Sequence, residues 1–186
     1  RRAHTPKPWK IYDLKVNIKE RRKAIRSALA ATMDQEVVKE RGHRFKHLIP
    51  IVDTKIESLQ KTKEVIKVLQ SLKLEEELMR VAERKVRAGR GKSRGRRYKI
   101  KRGPLIVVSG ICALQKAAAS LQGVEVCEVN KLNIGMLAPG GNAGRLTLFT
   151  EKAMEKIKTE QLFMNKQIIV KKETAKKEAP KEKKME

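Results

Sequence analysis

The stretch RKVRAGRGKSRGRRYKIKRG, residues 84–103, holds eleven Lys or Arg side chains, four glycines and no acid. Burying such a run would strip water from every charge with no partner to replace it, so the segment must lie at the surface whatever else the chain does. Glycines at 89, 91, 95 and 103 let the backbone turn sharply or approach a phosphate closely. The bias extends to the whole chain, where 45 Lys plus Arg against 21 Asp plus Glu give a formal net charge of +24 over 186 residues. Self-repulsion of this size opposes compaction unless a polyanion neutralises it, which points to a nucleic acid partner. Arg84, Lys85, Arg87, Arg90, Lys92, Arg94, Arg96, Arg97, Lys99, Lys101 and Arg102 are therefore candidate RNA contacts. A guanidinium grips phosphate with two hydrogen bonds or stacks on an unpaired base, and Tyr98 adds an aromatic face. The reading is a loop laid along folded RNA. A flexible solvated loop or a localisation signal has the same composition.

The rest of the chain has to supply a core. Hydrophobic residues make up 40% but aromatic ones only 3%, so that core is expected to be aliphatic. Residues 1–16, RRAHTPKPWKIYDLKV, have two prolines and no helical period, and read as an extended basic arm in which Arg1, Arg2, His4, Lys7 and Lys10 are further RNA contacts. Asn17 with Glu20 three positions later resembles a capping box. Ile25, Ala28, Leu29 and Thr32 then mark a helix expected to continue through Val37 and Val38 to a stop at Gly42, with Arg21, Arg22, Lys23 and Arg26 on its outer face. LIPIV, 48–52, has strand length, and Pro50 confines it to an edge or a strand start. Two amphipathic helices follow, the first through Val65, Ile66, Leu69 and Leu72. The second runs through Leu74, Leu78 and Val81, opened by Glu75, Glu76 and Glu77 and closed by Arg84, Lys85 and Arg87 as the helix dipole favours. PLIVVS, VEVCEV and RLTLF read as strands, Ala113 to Leu121 as a helix stopped by Gly123, and Thr150 as the cap of a helix through Ile157. Strands alternating with helices give an α/β fold, a mainly parallel sheet flanked by helices, with a basic arm and loops. The body is expected over 17–165, and the Lys/Glu-rich tail, 166–186, is expected to be disordered.

Catalytic and cofactor readings find little purchase. Gly91-Lys92-Ser93 ends like a phosphate-binding P-loop, but Val86 stands where its first glycine belongs. The strand ending at Ser109 is followed only by Gly110 before Ile111, without the glycine fingerprint of a dinucleotide or methyl-donor site. Ser109 also lacks the first glycine of a nucleophile elbow. Cys112 and Cys127 have no C-x-x-C spacing and are expected to be buried free thiols; with three histidines in the chain, no metal site is signalled. No helix-turn-helix or zinc signature suggests DNA packaging. No apolar run approaches membrane-span length. A basic α/β enzyme that modifies RNA stays open as the alternative, with Glu128 suggestively placed near a strand end.

LAPGGNAGRLTLFT, 137–150, needs a tight irregular backbone before a strand, and peptide N–H groups there could hold an anion. Gly140, Gly141, Asn142 and Arg145 are thus candidate RNA contacts, although a structural loop has the same composition. Together with RKVRAGRGKSRGRRYKIKRGPLIVVS, the opening RRAHTPK and the RRKAIRSALAAT helix, this segment resembles the universal large-subunit ribosomal protein family numbered four, in its archaeal and eukaryotic branch. The resemblance runs from Arg1 to about Ile157.

It implies a structural, non-enzymatic constituent of the large ribosomal subunit in the cytoplasm, with an α/β body seated against ribosomal RNA and a loop reaching toward the peptide exit tunnel. The implied partners are large-subunit ribosomal RNA and neighbouring large-subunit ribosomal proteins, with no cofactor, metal, membrane or small-molecule substrate. The resemblance places an N-terminal strand and most of the tunnel loop before Arg1, so a segment upstream is expected and only the returning limb, Arg1 to Lys10, is claimed. Asn142 stands where relatives usually have a histidine.

Overall fold

The computed structural model describes residues 3–164. Its strands are β1 (Ile51–Val52), β2 (Lys85–Val86), β3 (Tyr98–Lys99), β4 (Leu105–Val108), β5 (Glu125–Glu128) and β6 (Thr147–Thr150). Its helices are α1 (Ile18–Met33), α2 (Gln35–Glu40), α3 (Thr62–Ser71), α4 (Glu75–Ala82), α5 (Ala113–Ala118), α6 (Ile134–Leu137) and α7 (Glu151–Thr159).

Every side chain of β4 and of β6 is buried, which places these two strands at the centre of the sheet. Leu105 and Val107 join one apolar layer while Ile106 and Val108 join the opposite one, so PLIVVS reads as a continuous apolar run because both faces of the strand are covered. The sheet order is β1-β6-β4-β5, parallel throughout, with Leu105 opposite both Thr147 and Glu125. The expected α/β fold with a parallel sheet is borne out. β1 is a two-residue edge strand beginning after Pro50, whose carbonyl accepts from Phe149 N at 2.7 Å. A proline there leaves no central ladder bond unmade. Cys127 is buried and Cys112 half-buried, both free thiols, and burial raises the pKa of each.

One expected helix is two. α1 begins where the sequence places it, with the Asn17 side chain accepting from Lys19 N at 3.0 Å, but it ends at Met33. Asp34 has extended backbone angles and caps α2 through Glu36 N. The break lets the chain change sides: Ile25 and Ala28 pack on the sheet face that includes Val107, and Val38 on the face that includes Ile106. A straight helix could not serve both, which explains why Val37 and Val38 fall out of phase in the sequence. Gly42, at φ +97°, provides the expected stop. The outer-face arginines of α1 are also engaged, since Arg22 and Arg26 donate to the carbonyls of Met164 and Phe163 beyond α7. Thr150 caps α7 by accepting from Ala153 N, as expected.

α4 ends at Ala82 rather than running on to Arg87, and Lys85–Val86 turn into β2. Its third glutamate is not a surface charge on the helix dipole. Glu77 is fully buried, and its carboxylate accepts from His43 Nδ1 at 2.6 Å, from Arg44 N at 2.9 Å and from Arg80 Nε and Nη2 at 2.7 Å each. An ionised carboxylate only accepts, so His43 must present an N–H at Nδ1. Burial alone would raise the Glu77 pKa, but the bonds from Arg80, His43 and Arg44 outweigh it and hold the group at about 2. The folded pKa lies below the unfolded value, so this stabilisation is complete above the normal carboxylate range and fades as pH falls toward about 2. Glu77→Gln leaves Arg80 without its counter-charge and should lower stability at neutral pH by about 3 kcal/mol. It should also flatten the acid limb of stability against pH, as checked by chemical denaturation across that range.

Candidate nucleic-acid interface

The basic stretch forms an antiparallel hairpin in which Lys85 pairs with Lys99 and Val86 with Tyr98. Arg87 N donates to the Arg97 carbonyl at 2.7 Å and Arg87 Nε to that of Arg96 at 3.1 Å. A 3-10 turn, Arg90–Ser93, closes the tip and is bound to the returning limb by Arg96 N to Gly91 O at 3.0 Å. Gly89 and Gly95 flank that turn at φ +77° and +75°, where a side chain would be strained. Residues 84–100 are exposed apart from half-buried Gly91. Lys101 pairs with Glu83 at 2.6 Å and Arg102 with Glu125. Among the described residues no carboxylate lies within ion-pair distance of Lys85, Arg87, Arg90, Lys92, Arg94, Arg96, Arg97 or Lys99. The tip is therefore cationic and uncompensated, and the neutralised charges sit at the root.

That root is locked to the body. Arg145 has no exposed surface; its Nε donates to Gly103 O at 2.9 Å, and its Nη1 to Glu125 Oε2 and Met136 O at 2.8 Å each. Burial, with Arg102 close by, pulls the guanidinium pKa down to about 10, so it stays charged at neutral pH. Arg80 Nη2 reaches Arg102 O at 2.7 Å, which joins the Glu77 cluster to the same root. Gly103 N donates to Gly123 O at 2.9 Å. A Cβ on Gly123 would overlap Val81 and lie 2.8 Å from Lys101 O, so helix α4 and the returning hairpin limb meet over a residue that must be glycine.

Arg145 is consequently a correction to the sequence reading. Its guanidinium fixes the hairpin from inside the protein and cannot meet RNA in this fold. The turn before it is exposed at Gly140, Gly141 and Asn142. Arg41, which the sequence did not single out, holds that turn from α2 by donating to Ala143 O at 3.1 Å and Pro139 O at 2.8 Å. Gly144 lets the turn pass against α2, since a Cβ there would sit 2.8 Å from Val37 O.

The arm is exposed over residues 3–16 and contains His4, Lys7 and Lys10, while Arg1 and Arg2 and the expected tail, 166–186, lie outside the described residues. Within the described residues the arm bonds only to itself, through Lys10 N to Lys7 O at 3.2 Å. Hairpin and glycine turn are tied together through Arg145 and Gly103; among the described residues the arm shares no hydrogen bond with either.

In an open α/β sheet the ligand crevice lies beyond the strand ends where the order reverses, here between β4 and β6. Glu57 fills that place, accepting from Ser109 N at 3.1 Å, Ser109 Oγ at 2.9 Å and Thr150 Oγ1 at 2.6 Å, and Lys156 Nζ donates to Ser109 O at 3.0 Å. Glu128, the residue that suggested a donor site, is engaged by Lys131 at 2.7 Å and Gln115 at 3.3 Å. No cluster of His, Cys, Asp or Glu among the described residues could hold a metal ion, and no helix there is long and apolar enough to cross a membrane.

Reasoning from sequence missed Glu57, Glu77, Arg41 and the structural use of Arg145. Glu77 alone had a signal, because it lies three residues after Leu74 and four before Val81, on the apolar stripe of its helix. Replacing Arg145 by Met should cost about 3 kcal/mol, the order found when one partner of a buried ion pair is removed. It should also speed amide exchange at Gly103 and Leu105, whereas substitutions at the hairpin tip should leave both unchanged; thermal unfolding and exchange measured by mass spectrometry check this.

Comparison with known proteins follows the same lines. Residues 1–160 match the family described as "Ribosomal protein L4/L1 family". "Large ribosomal subunit protein uL4" of Methanocaldococcus jannaschii is 50% identical over 161 residues, covering 85% of this chain and 64% of that protein. The protein of the same name from Nanoarchaeum equitans is 48% identical, over 88% of this chain and 61% of its own length. The chain thus spans somewhat over three fifths of the relatives it matches. Half the residues shared with an archaeal relative, and a family match spanning arm, hairpin, glycine turn and sheet, leave one assignment: the chain belongs to the ribosomal protein L4/L1 family.

Proposed function

We propose that this chain is a structural constituent of the large ribosomal subunit in the cytoplasm, that it binds ribosomal RNA and supports subunit assembly, and that it catalyses no reaction. The observation that carries this reading is the hairpin, where eight cations have no carboxylate of the described residues within ion-pair distance while the root is held by Arg145 and Arg80. Uncompensated charge on a fixed support suits a folded polyanion of fixed shape, and contacts of this kind position a protein on RNA without reading its sequence. In this reading residues 1–16 act as an arm and 17–165 as the body, with His4, Lys7 and Lys10 of the arm and the exposed Gly140, Gly141 and Asn142 as secondary contacts. Neighbouring large-subunit proteins, and whatever the arm contributes at the exit tunnel, belong to the same proposal. The names of the archaeal relatives support it. At the strand-end crevice where the alternative of an RNA-modifying enzyme would place its ligand, Glu57 bonds to Ser109 and Thr150, which favours the structural reading.

If roughly six hairpin side chains meet phosphates, affinity for a cognate ribosomal RNA fragment should fall about a thousandfold between about 50 and 200 mM salt. Replacing Arg94, Arg96 and Arg97 together by Ala should weaken binding and flatten that dependence while leaving thermal stability nearly unchanged. The corresponding triple Lys variant should show intermediate affinity, since it restores charge without the bidentate fork. Titrations of the three proteins at several salt concentrations check this, and unchanged affinity in the Ala variant would overturn the hairpin's role.

A further inference from the structure

Trp9, Tyr12 and Tyr98 are the only tryptophan and the two tyrosines of the chain, and they are 75%, 62% and 49% exposed. Phe45 and Phe149, in contrast, are buried. In a chain with few aromatic residues, the tryptophan and both tyrosines stand outside the core, although each could have buried a large apolar area there. All three lie in the basic segments. Each also has a cation over its ring: Lys7 Nζ is 5.4 Å from the Trp9 centroid, Lys10 Nζ 5.3 Å from that of Tyr12, and Arg97 Cζ 5.7 Å from that of Tyr98.

A cation on one face of a ring leaves the opposite face free for a flat partner. A nucleobase stacked there would bring its own phosphate within reach of the same cation, the combination of ring and positive charge that binds single strands irrespective of sequence. Paired bases in a duplex stack on one another and present no such face. The exposed aliphatics near Trp9, Ile11 at 84% and Leu14 at 90%, would suit an apolar protein groove. Seating Trp9 and Tyr12 in such a groove, however, would desolvate Lys7 and Lys10 with them. We infer that Trp9 and Tyr12 in the arm, together with Tyr98 in the hairpin, are stacking platforms for unpaired RNA bases, so that the arm takes single-stranded segments in preference to duplex. This rests on the RNA-binding reading above and specifies its ligand.

Trp9 is the sole tryptophan, so its fluorescence reports on the arm alone. The full chain is titrated with a labelled oligouridine and with a labelled RNA duplex of equal phosphate number at the same salt, following Trp9 emission and the anisotropy of the label. Both RNAs should bind, and only the single strand should quench Trp9. Trp9→Leu should weaken single-strand binding about tenfold and leave duplex binding unchanged, while Trp9→Phe, which keeps a ring, should retain most of the affinity. Anisotropy that rises with no quenching, as expected of an arm made for a protein groove, overturns the stacking role and leaves the RNA-binding reading intact. Equal quenching by both RNAs, or wild-type affinity in Trp9→Leu, does the same. No salt-dependent binding of either RNA overturns both readings.

Discussion

A charged guanidinium with no exposed surface, that of Arg145, ties three separate segments together: the root of the basic hairpin at Gly103, the start of β5 at Glu125 and the end of α6 at Met136. Desolvating a full charge is costly unless hydrogen bonds replace the lost water; here two carbonyls and a carboxylate replace it at Nε and Nη1, while Nη2 is buried without a partner among the described residues. The bonds constrain as well as compensate. They fix where the hairpin leaves the body, because a carbonyl that moved away would leave the buried charge short of an acceptor. Glu77, equally buried, does the reciprocal work by gathering His43, Arg44 and Arg80, and Arg80 extends the linkage to the Arg102 carbonyl.

These two buried charges divide the cationic residues by use. Arg22, Arg26, Arg41, Arg80 and Arg145 donate to backbone carbonyls of other segments and hold the fold together. Among the described residues the hairpin tip and the arm make no such contribution to the body, which leaves their charge to the solvent side. A net charge of +24 would otherwise count wholly against compaction. Part of it is turned inward as hydrogen-bond donors, and much of the remainder is concentrated on projections away from the core.

Much of the fold was legible because burial imposes simple patterns. PLIVVS announced a strand covered on both faces, Thr150 and Asn17 announced helix starts, and Pro50 announced an edge or a strand start. What stayed hidden depended on which surfaces meet. The break at Asp34 follows from the need to pack Ile25 and Val38 on opposite faces of one sheet, and no local propensity demands it. The hairpin pairing between Lys85 and Lys99 is equally invisible, because like charges across a ladder are unfavourable unless the root is held from elsewhere.

By itself the sequence determined the fold class, the aliphatic core and the surface placement of residues 84–102. Each follows from the free energy of moving a residue type into or out of water, a property of composition and period alone. Only the tertiary structure decided which arginines face outward. An arginine stays at the surface or supports the body according to the carbonyls and carboxylates within reach, and those come from residues distant in sequence, as Gly103 and Glu125 are from Arg145.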